Sequence, residues 1–250
     1  MLARASRFAK RAAATNLPAM TRPAPPLVWL FDVDGTLVHT EGAGRTALEW
    51  AFRDVFGIED ALHGIALAGR TDPLIIGDAL ARHGRAFANG ERERFWAAAE
   101  AHLERLLTPP RGLVLPGVHA LLDAIETEPA HVRGLLTGNM PPFARLKLGA
   151  FGLFERFAFG TYGSDGPDRP AMARVAVARA AERWGAPPAR CVVVGDTELD
   201  IDCARAAGAR VVAVATGGRS REQLAPHGPD LLLDDLTDAG AILGWARALA

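Results

Sequence analysis

Lysine is almost missing from this chain: among 250 residues only Lys10 and Lys147 carry an ammonium group, and the remaining cations are arginines. Mechanisms that depend on a lysine therefore have very little to work with. Cysteine is equally sparse. Cys191 sits in an apolar, strand-like run and Cys203 in a helix-like one. Two such residues make neither a disulfide framework nor a metal knuckle, and they read as buried reduced thiols of a cytoplasmic protein. No stretch approaches the apolar length of a membrane span. A net charge of -1 provides no overall basic field for nucleic acid or an anionic membrane. Acidic residues are absent before Asp32, where Arg4, Arg7, Lys10, Arg11 and Arg22 stand among alanines. Arg-rich, acid-free N-termini resemble organelle transit peptides. The Ala/Arg bias runs through the whole chain, however, and Met20 is an alternative start, so residues 1–26 are expected to be a disordered extension.

The most informative stretch is Asp32-Val33-Asp34-Gly35-Thr36, directly behind the apolar run Leu27-Val28-Trp29-Leu30-Phe31. Such a run suits an inner strand of a parallel sheet, and open parallel sheets bind ligands at the carboxyl ends of their strands. A carboxylate emerging there can attack an electrophile or hold a metal, and a second one two residues on can exchange protons with a leaving group. The bland alternative is an acidic turn, which Asp-Gly alone would support.

Further strands are predicted at His131 to Leu136, Arg156 to Gly160, Cys191 to Val194, Arg210 to Ala215 and Leu231 to Leu233. Helix-like stretches alternate with them: Val118 to Glu128, Pro141 to Leu148, Ala171 to Trp184 and Leu199 to Ala207. The alternation implies an α/β fold, a doubly wound parallel sheet. Residues 41–110 break the pattern, reading as consecutive helices near Gly44 to Phe56, Pro73 to His83 and Glu91 to Leu107. Such an insert after the first strand suits a lid, with Thr108-Pro109-Pro110-Arg111-Gly112 as the hinge back to the core.

Three more sites follow predicted strands or their connections. Thr137-Gly138-Asn139 offers a hydroxyl at a Gly turn, suited to phosphate oxygens, although alone it is an ordinary turn. Arg169-Pro170 heads a long helix and could place a fixed cation, although in so arginine-rich a chain a solvated Arg is the commoner outcome. Gly195-Asp196-Thr197-Glu198-Leu199-Asp200 follows the clearest strand, and Asp196 is the natural ligand for Mg2+, which prefers hard oxygen donors. Asp200 could hold a metal water, but helix capping is the simpler role for it.

This ordered set resembles the haloacid dehalogenase-like (HAD) hydrolase superfamily from Leu27 to about Leu236. Gly195 to Gly208, the helical insert and the Gly69-Arg70-Thr71-Asp72 loop look like its phosphoglycolate phosphatase-like branch. The resemblance implies a Rossmann-like core over residues 27–40 and 111–250, with a small helical cap over 41–110. It implies a Mg2+-dependent phosphatase acting on a small phosphorylated metabolite, as a monomer or homodimer. Asp32 would form an aspartyl-phosphate, and Asp34 would protonate the departing alkoxide and then activate water. Thr137, Gly138, Asn139 and Arg169 would bind the phosphoryl group, with Arg70 near the substrate. The metal would be held by the Asp32 carboxylate, the Asp34 backbone carbonyl and Asp196. Where relatives most often have a lysine in the third motif, this chain has Arg169; Lys147 falls in a helix ten positions after Thr137. His39 stands where relatives usually carry an acidic residue, and starting the cap is its simpler role.

Asp34 argues against dehalogenation, and an insert without lysine argues against Schiff-base cleavage of phosphonates. A β-phosphoglucomutase-like phosphosugar mutase is the alternative activity, and a catalytically idle binding protein on the same fold is the alternative class. Phosphoglycolate would need a cation for its carboxylate, for which Arg45 and Arg70 are available. Arg70, however, sits in an ordinary helix start, with Asp72 as N-cap and Pro73 at the first helical position.

Overall fold

Every residue of β1 (Leu27–Phe31) is buried, as a strand with helices packed on both faces must be. The computed structural model describes residues 24–249; the expected N-terminal extension, apart from its last three residues, lies outside them. The remaining elements in chain order are β2 (Val38–His39), α1 (Ala43–Phe56), α2 (Asp72–Arg82), α3 (Glu91–Leu106), β3 (Leu113–Val114), α4 (Val118–Glu126), β4 (His131–Leu136) and α5 (Pro141–Gly149). They continue with β5 (Phe159–Thr161), α6 (Arg169–Trp184), β6 (Cys191–Gly195), α7 (Glu198–Ala206), β7 (Arg210–Val214), α8 (Arg221–Leu224), β8 (Leu231–Leu233) and α9 (Ala239–Arg247).

Six strands form one sheet in the order β5-β4-β1-β6-β7-β8, and every neighbouring pair is parallel. The chain reverses its direction of winding about β1, and a crevice opens at the carboxyl ends of β4, β1 and β6. Side-chain alternation along β1 divides the core in two. Leu27, Trp29 and Phe31 pack with Leu121, Leu122, Leu148 and Ile242 on one face. Val28 and Leu30 pack with Met172, Ala176, Ile201 and Ala204 on the other.

Helices α1, α2 and α3 lie between the short strands β2 and β3, which pair antiparallel and bring the two ends of the insert together. They bury a third apolar cluster, in which Phe52, Ile76, Phe95 and Leu103 meet Phe143 of α5. Both cysteines are free and buried.

Two local expectations need correction. Phe154–Arg156 is a 3-10 turn, and the strand begins only at Phe159. The N-cap of α2 is Thr71, whose side chain accepts from the Leu74 N–H, while Asp72 is the first helical residue. Either residue type can cap a helix; here the Asp72 carboxylate is drawn away to the Met140 N–H at 2.7 Å.

Candidate active site

Asp32 leaves β1 at the crevice, its N–H bonded to the Val194 carbonyl at 2.9 Å. Asp196 leaves β6 beside it, and the Asp200 carboxylate reaches back from the first turn of α7. Ligand oxygens of Asp32, Asp196 and Asp200 all lie within 4.8 Å of one another, and all three residues are buried. Three carboxylates so close repel one another and are poorly solvated. Burial, and then the charge of Asp32, push Asp196 up to about 7.

Arg169, at the start of α6, is the cation set against this charge. Its guanidinium donates to Asp32 Oδ1 at 3.3 Å and forms an ion pair with Asp200. Burial works against its charge, but the surrounding acidic groups, Asp32 first and then Cys203 and Asp196, together outweigh it and keep the guanidinium cationic. Asp200 also accepts from Thr197 through Oδ2, from N–H at 3.0 Å and Oγ1 at 2.6 Å. It therefore caps α7 through Oδ2 while its Oδ1 faces Arg169 in the ion pair.

The site fits a hard divalent cation. Asp32 and Asp196 supply oxygen donors with more negative charge than Arg169 alone neutralises. The backbone leaves room beside Asp196 only because side chains are absent there. A Cβ built on Gly217 would stand 1.7 Å from Asp196 Oδ2, and one on Gly35 2.6 Å from it.

Thr137, Gly138 and Asn139 lie at the carboxyl end of β4. The buried Thr137 hydroxyl accepts from Asn139 Nδ2 at 2.8 Å and from the Asn139 N–H at 3.3 Å. Its own proton has no acceptor among the described residues and is free to donate into the cavity. Asp34 turns away from the other acids. Its Oδ2 accepts from Asn139 Nδ2 at 2.7 Å and from Lys147 Nζ at 2.6 Å. Lys147, on the inner face of α5, belongs to the site as much as Arg169 does, and the two cations serve different carboxylates. Being the only lysine of the core was the one sequence signal for it.

A cavity of about 470 Å³ collects Asp32, Asp34, Thr137, Lys147, Arg169 and Asp196, with Arg45, Arg70 and His39 on the insert side. Arg45 pairs with Glu49 at 2.9 Å and Arg70 with Asp78 at 2.5 Å. His39 is exposed on β2, and its Nδ1 accepts from the Glu41 N–H at 3.4 Å. A larger groove of about 800 Å³, along α3 and α5, contains none of the clustered acids.

An all-parallel sheet with acids at the ends of two adjacent inner strands and a hydroxyl at a third defines a class of phosphoryl-handling enzyme. Comparison with known proteins agrees. Residues 170–239 match a family model described as HAD-hydrolase-like. Phosphoglycolate phosphatase of Rhodospirillum rubrum is 30% identical over 237 residues, covering 89% of this chain and 92% of that protein. Phosphoglycolate phosphatase of Cereibacter sphaeroides is 32% identical over 219 residues, covering 84% and 95%. The crystal structure of β-phosphoglucomutase from Clostridium difficile superposes with a TM-score of 0.67 at 19% identity, covering 89% of this chain and 98% of that one. That last likeness shows the fold alone and does not separate hydrolase from mutase. The chain belongs to the HAD hydrolase superfamily, in its phosphoglycolate phosphatase-like branch. It is an enzyme, a hydrolase of phosphoric monoesters.

Proposed function

We propose that the chain is a Mg2+-dependent phosphatase that hydrolyses a small-molecule phosphomonoester through an aspartyl-phosphate on Asp32. The observation that carries this reading is the pairing of Arg169 with the buried Asp32 while Asp34, two residues on, stays 45% exposed in its side chain. One carboxylate is oriented by a buried cation; the other is open to exchange protons.

In the first step an Asp32 oxygen attacks phosphorus and the bond to the substrate alkoxide breaks, while Asp34 gives that alkoxide a proton. In the second step Asp34, now a carboxylate, takes a proton from water as the water oxygen attacks the acyl phosphate. The Asp32 carboxylate and inorganic phosphate are released. Arg169 and the Thr137 hydroxyl, with the Gly138-Asn139 turn, offset charge on the transferring group where it develops. Asp32, Asp196 and the Asp34 backbone carbonyl would hold Mg2+, which when bound lowers the repulsion between an anionic nucleophile and an anionic phosphate.

Residues 41–110 act as a cap, with Arg70 and Arg45 on the substrate side of the cavity. The relatives named above make phosphoglycolate the first substrate to test. Its carboxylate would take Arg45 from Glu49, an exposed pair within one helix that contributes little and is easily exchanged. Phosphate release from a panel of small phosphomonoesters, with Mg2+ and after exhaustive chelation, tests the reading. Full turnover without the metal would overturn it, and interconversion of sugar phosphates without net phosphate release would replace it with a mutase.

A further inference from the structure

Lys147 is only 6% exposed, and the chemistry above gives it no part. A buried ammonium must find compensating partners, and the partners it has are informative. Nζ donates to Asp34 Oδ2 at 2.6 Å and to Asn139 Oδ1 at 2.7 Å. Asn139 Nδ2 donates to the same Asp34 Oδ2 at 2.7 Å and to Thr137 Oγ1 at 2.8 Å. Two donors thus converge on one oxygen of Asp34, and Oδ1 accepts no hydrogen bond from the described residues. Lys147 forms its one ion pair with Asp34 and none with Asp32, Asp196 or Asp200. The cation placed against the nucleophile is Arg169.

We propose that Lys147 is a positioning residue for proton transfer: together with Asn139 it pins Oδ2 of Asp34, so that Oδ1 carries the proton exchanged with the leaving group and with water. With Nζ and the Asn139 amide both donating to Oδ2, that oxygen is already occupied, and Oδ1 is the one left open. Asn139 links the same clamp to Thr137, so the acid is fixed relative to a group that touches the phosphoryl. The insert closes the arrangement from above. A Cβ on Gly44, in the first turn of α1, would stand 2.9 Å from Nζ. This inference rests on the proposed acid–base role of Asp34.

The test is a double-mutant cycle of Lys147→Met and Asp34→Asn, assayed with an alkyl phosphate and with nitrophenyl phosphate, whose leaving group needs little protonation. Lys147→Met should lower kcat on the alkyl ester about 10- to 100-fold, with KM shifting less than about threefold and a smaller loss on nitrophenyl phosphate. In the Asp34→Asn background the same change should cost less than about threefold, because its target is gone. Binding of inorganic phosphate, measured by calorimetry, should be preserved. Gly44→Ala keeps the ammonium but crowds it off Asp34, and should reproduce the pattern at smaller size if Lys147→Met does not fold. Phosphate binding weakened tenfold, or an undiminished loss in the double variant, would mean that Lys147 acts on the phosphoryl group itself and would overturn the inference alone. Equal loss on both esters in Asp34→Asn would instead remove the acid–base reading, and this inference with it.

Discussion

The Asp72 carboxylate accepts the Met140 backbone N–H at 2.7 Å, and the Asp72 N–H reaches the Gly138 carbonyl at 2.8 Å. One residue of the helical insert therefore grips the turn on both sides of Asn139, immediately after Thr137. The contact leaves no space for a side chain: a Cβ on Gly138 would stand 2.1 Å from the Arg70 carbonyl oxygen. The insert-side wall of the cavity and the Thr137 turn are thus tied together at this contact.

The Asp72 carboxyl makes that docking sensitive to pH. Burial pushes it up to about 6, against the Lys147 charge and the Met140 N–H, which favour the anion; Asp34 and Asp32 add to the rise. A carboxyl whose pKa is higher folded than unfolded binds more protons when folded, so its contribution is most favourable below the unfolded value, 3.8, and is lost as pH rises towards about 6. The full loss is on the order of 2–3 kcal/mol. Asp72→Asn keeps an acceptor for Met140 and removes the charge. Its stability relative to wild type should therefore grow between pH 4 and pH 7, as read by denaturant unfolding at several pH values. A difference independent of pH would place Asp72 outside the buried contact.

Gly138→Ala tests the same contact sterically. The new methyl meets backbone rather than a flexible side chain, so the Arg70 loop must move. Overpacking of this kind costs about 1–3 kcal/mol. We expect kcat/KM on the best substrate to fall at least about tenfold, as a displaced wall costs orientation. Wild-type kinetics in Gly138→Ala would show that the insert does not position the Thr137 turn.

Sequence pattern and structure agree on which candidate side chains stand directly after a strand. Asp32 and Asp196 were legible because each follows an apolar run, and Thr137-Gly138-Asn139 because it follows the strand ending at Leu136. Lys147 lies 113 residues from Asp34. Its placement depends on how α5 folds back beneath the turn, which no local pattern reports. The Arg-Pro pair heading α6 singled out Arg169 as the site's cation, whereas the fold brings in two, Arg169 against Asp32 and Asp200 and Lys147 against Asp34. Asp72 was the expected cap of α2, and Thr71 takes that place because the Met140 N–H claims the Asp side chain. Strands β2 and β3, at two residues each, are too short to show a period.

Arg169→Met should be severe for stability as well as activity. Two buried carboxylates, Asp32 and Asp200, lose their counter-charge together. Removing one partner from a buried ion pair costs about 3–5 kcal/mol. Arg169→Lys restores a charge but not a fork that can reach both acids, so it should recover part of the stability and little of the rate. Thermal unfolding of the two variants side by side separates these effects. Equal stability of Met and Lys variants would mean that the guanidinium contributes no net charge compensation.

Asp32→Asn should abolish turnover while leaving the fold intact. An amide is a poor nucleophile, and the substitution also removes one of the charges available to the metal, so a loss beyond about 10³-fold is expected. Stability should change by less than about 1 kcal/mol, because two opposed effects accompany the substitution. Arg169 loses one of its two carboxylate partners. Asp196, raised to about 7 by burial and then by the Asp32 charge, is relieved of a close repulsion. Acid-quenched wild type incubated with substrate should carry a phosphate mass increment on the peptide spanning Asp32, and Asp32→Asn should carry none. Detection of the increment on the variant would assign the nucleophile elsewhere. Its absence from the wild type at saturating substrate, under quench conditions that preserve acyl phosphates, would argue for direct attack by water.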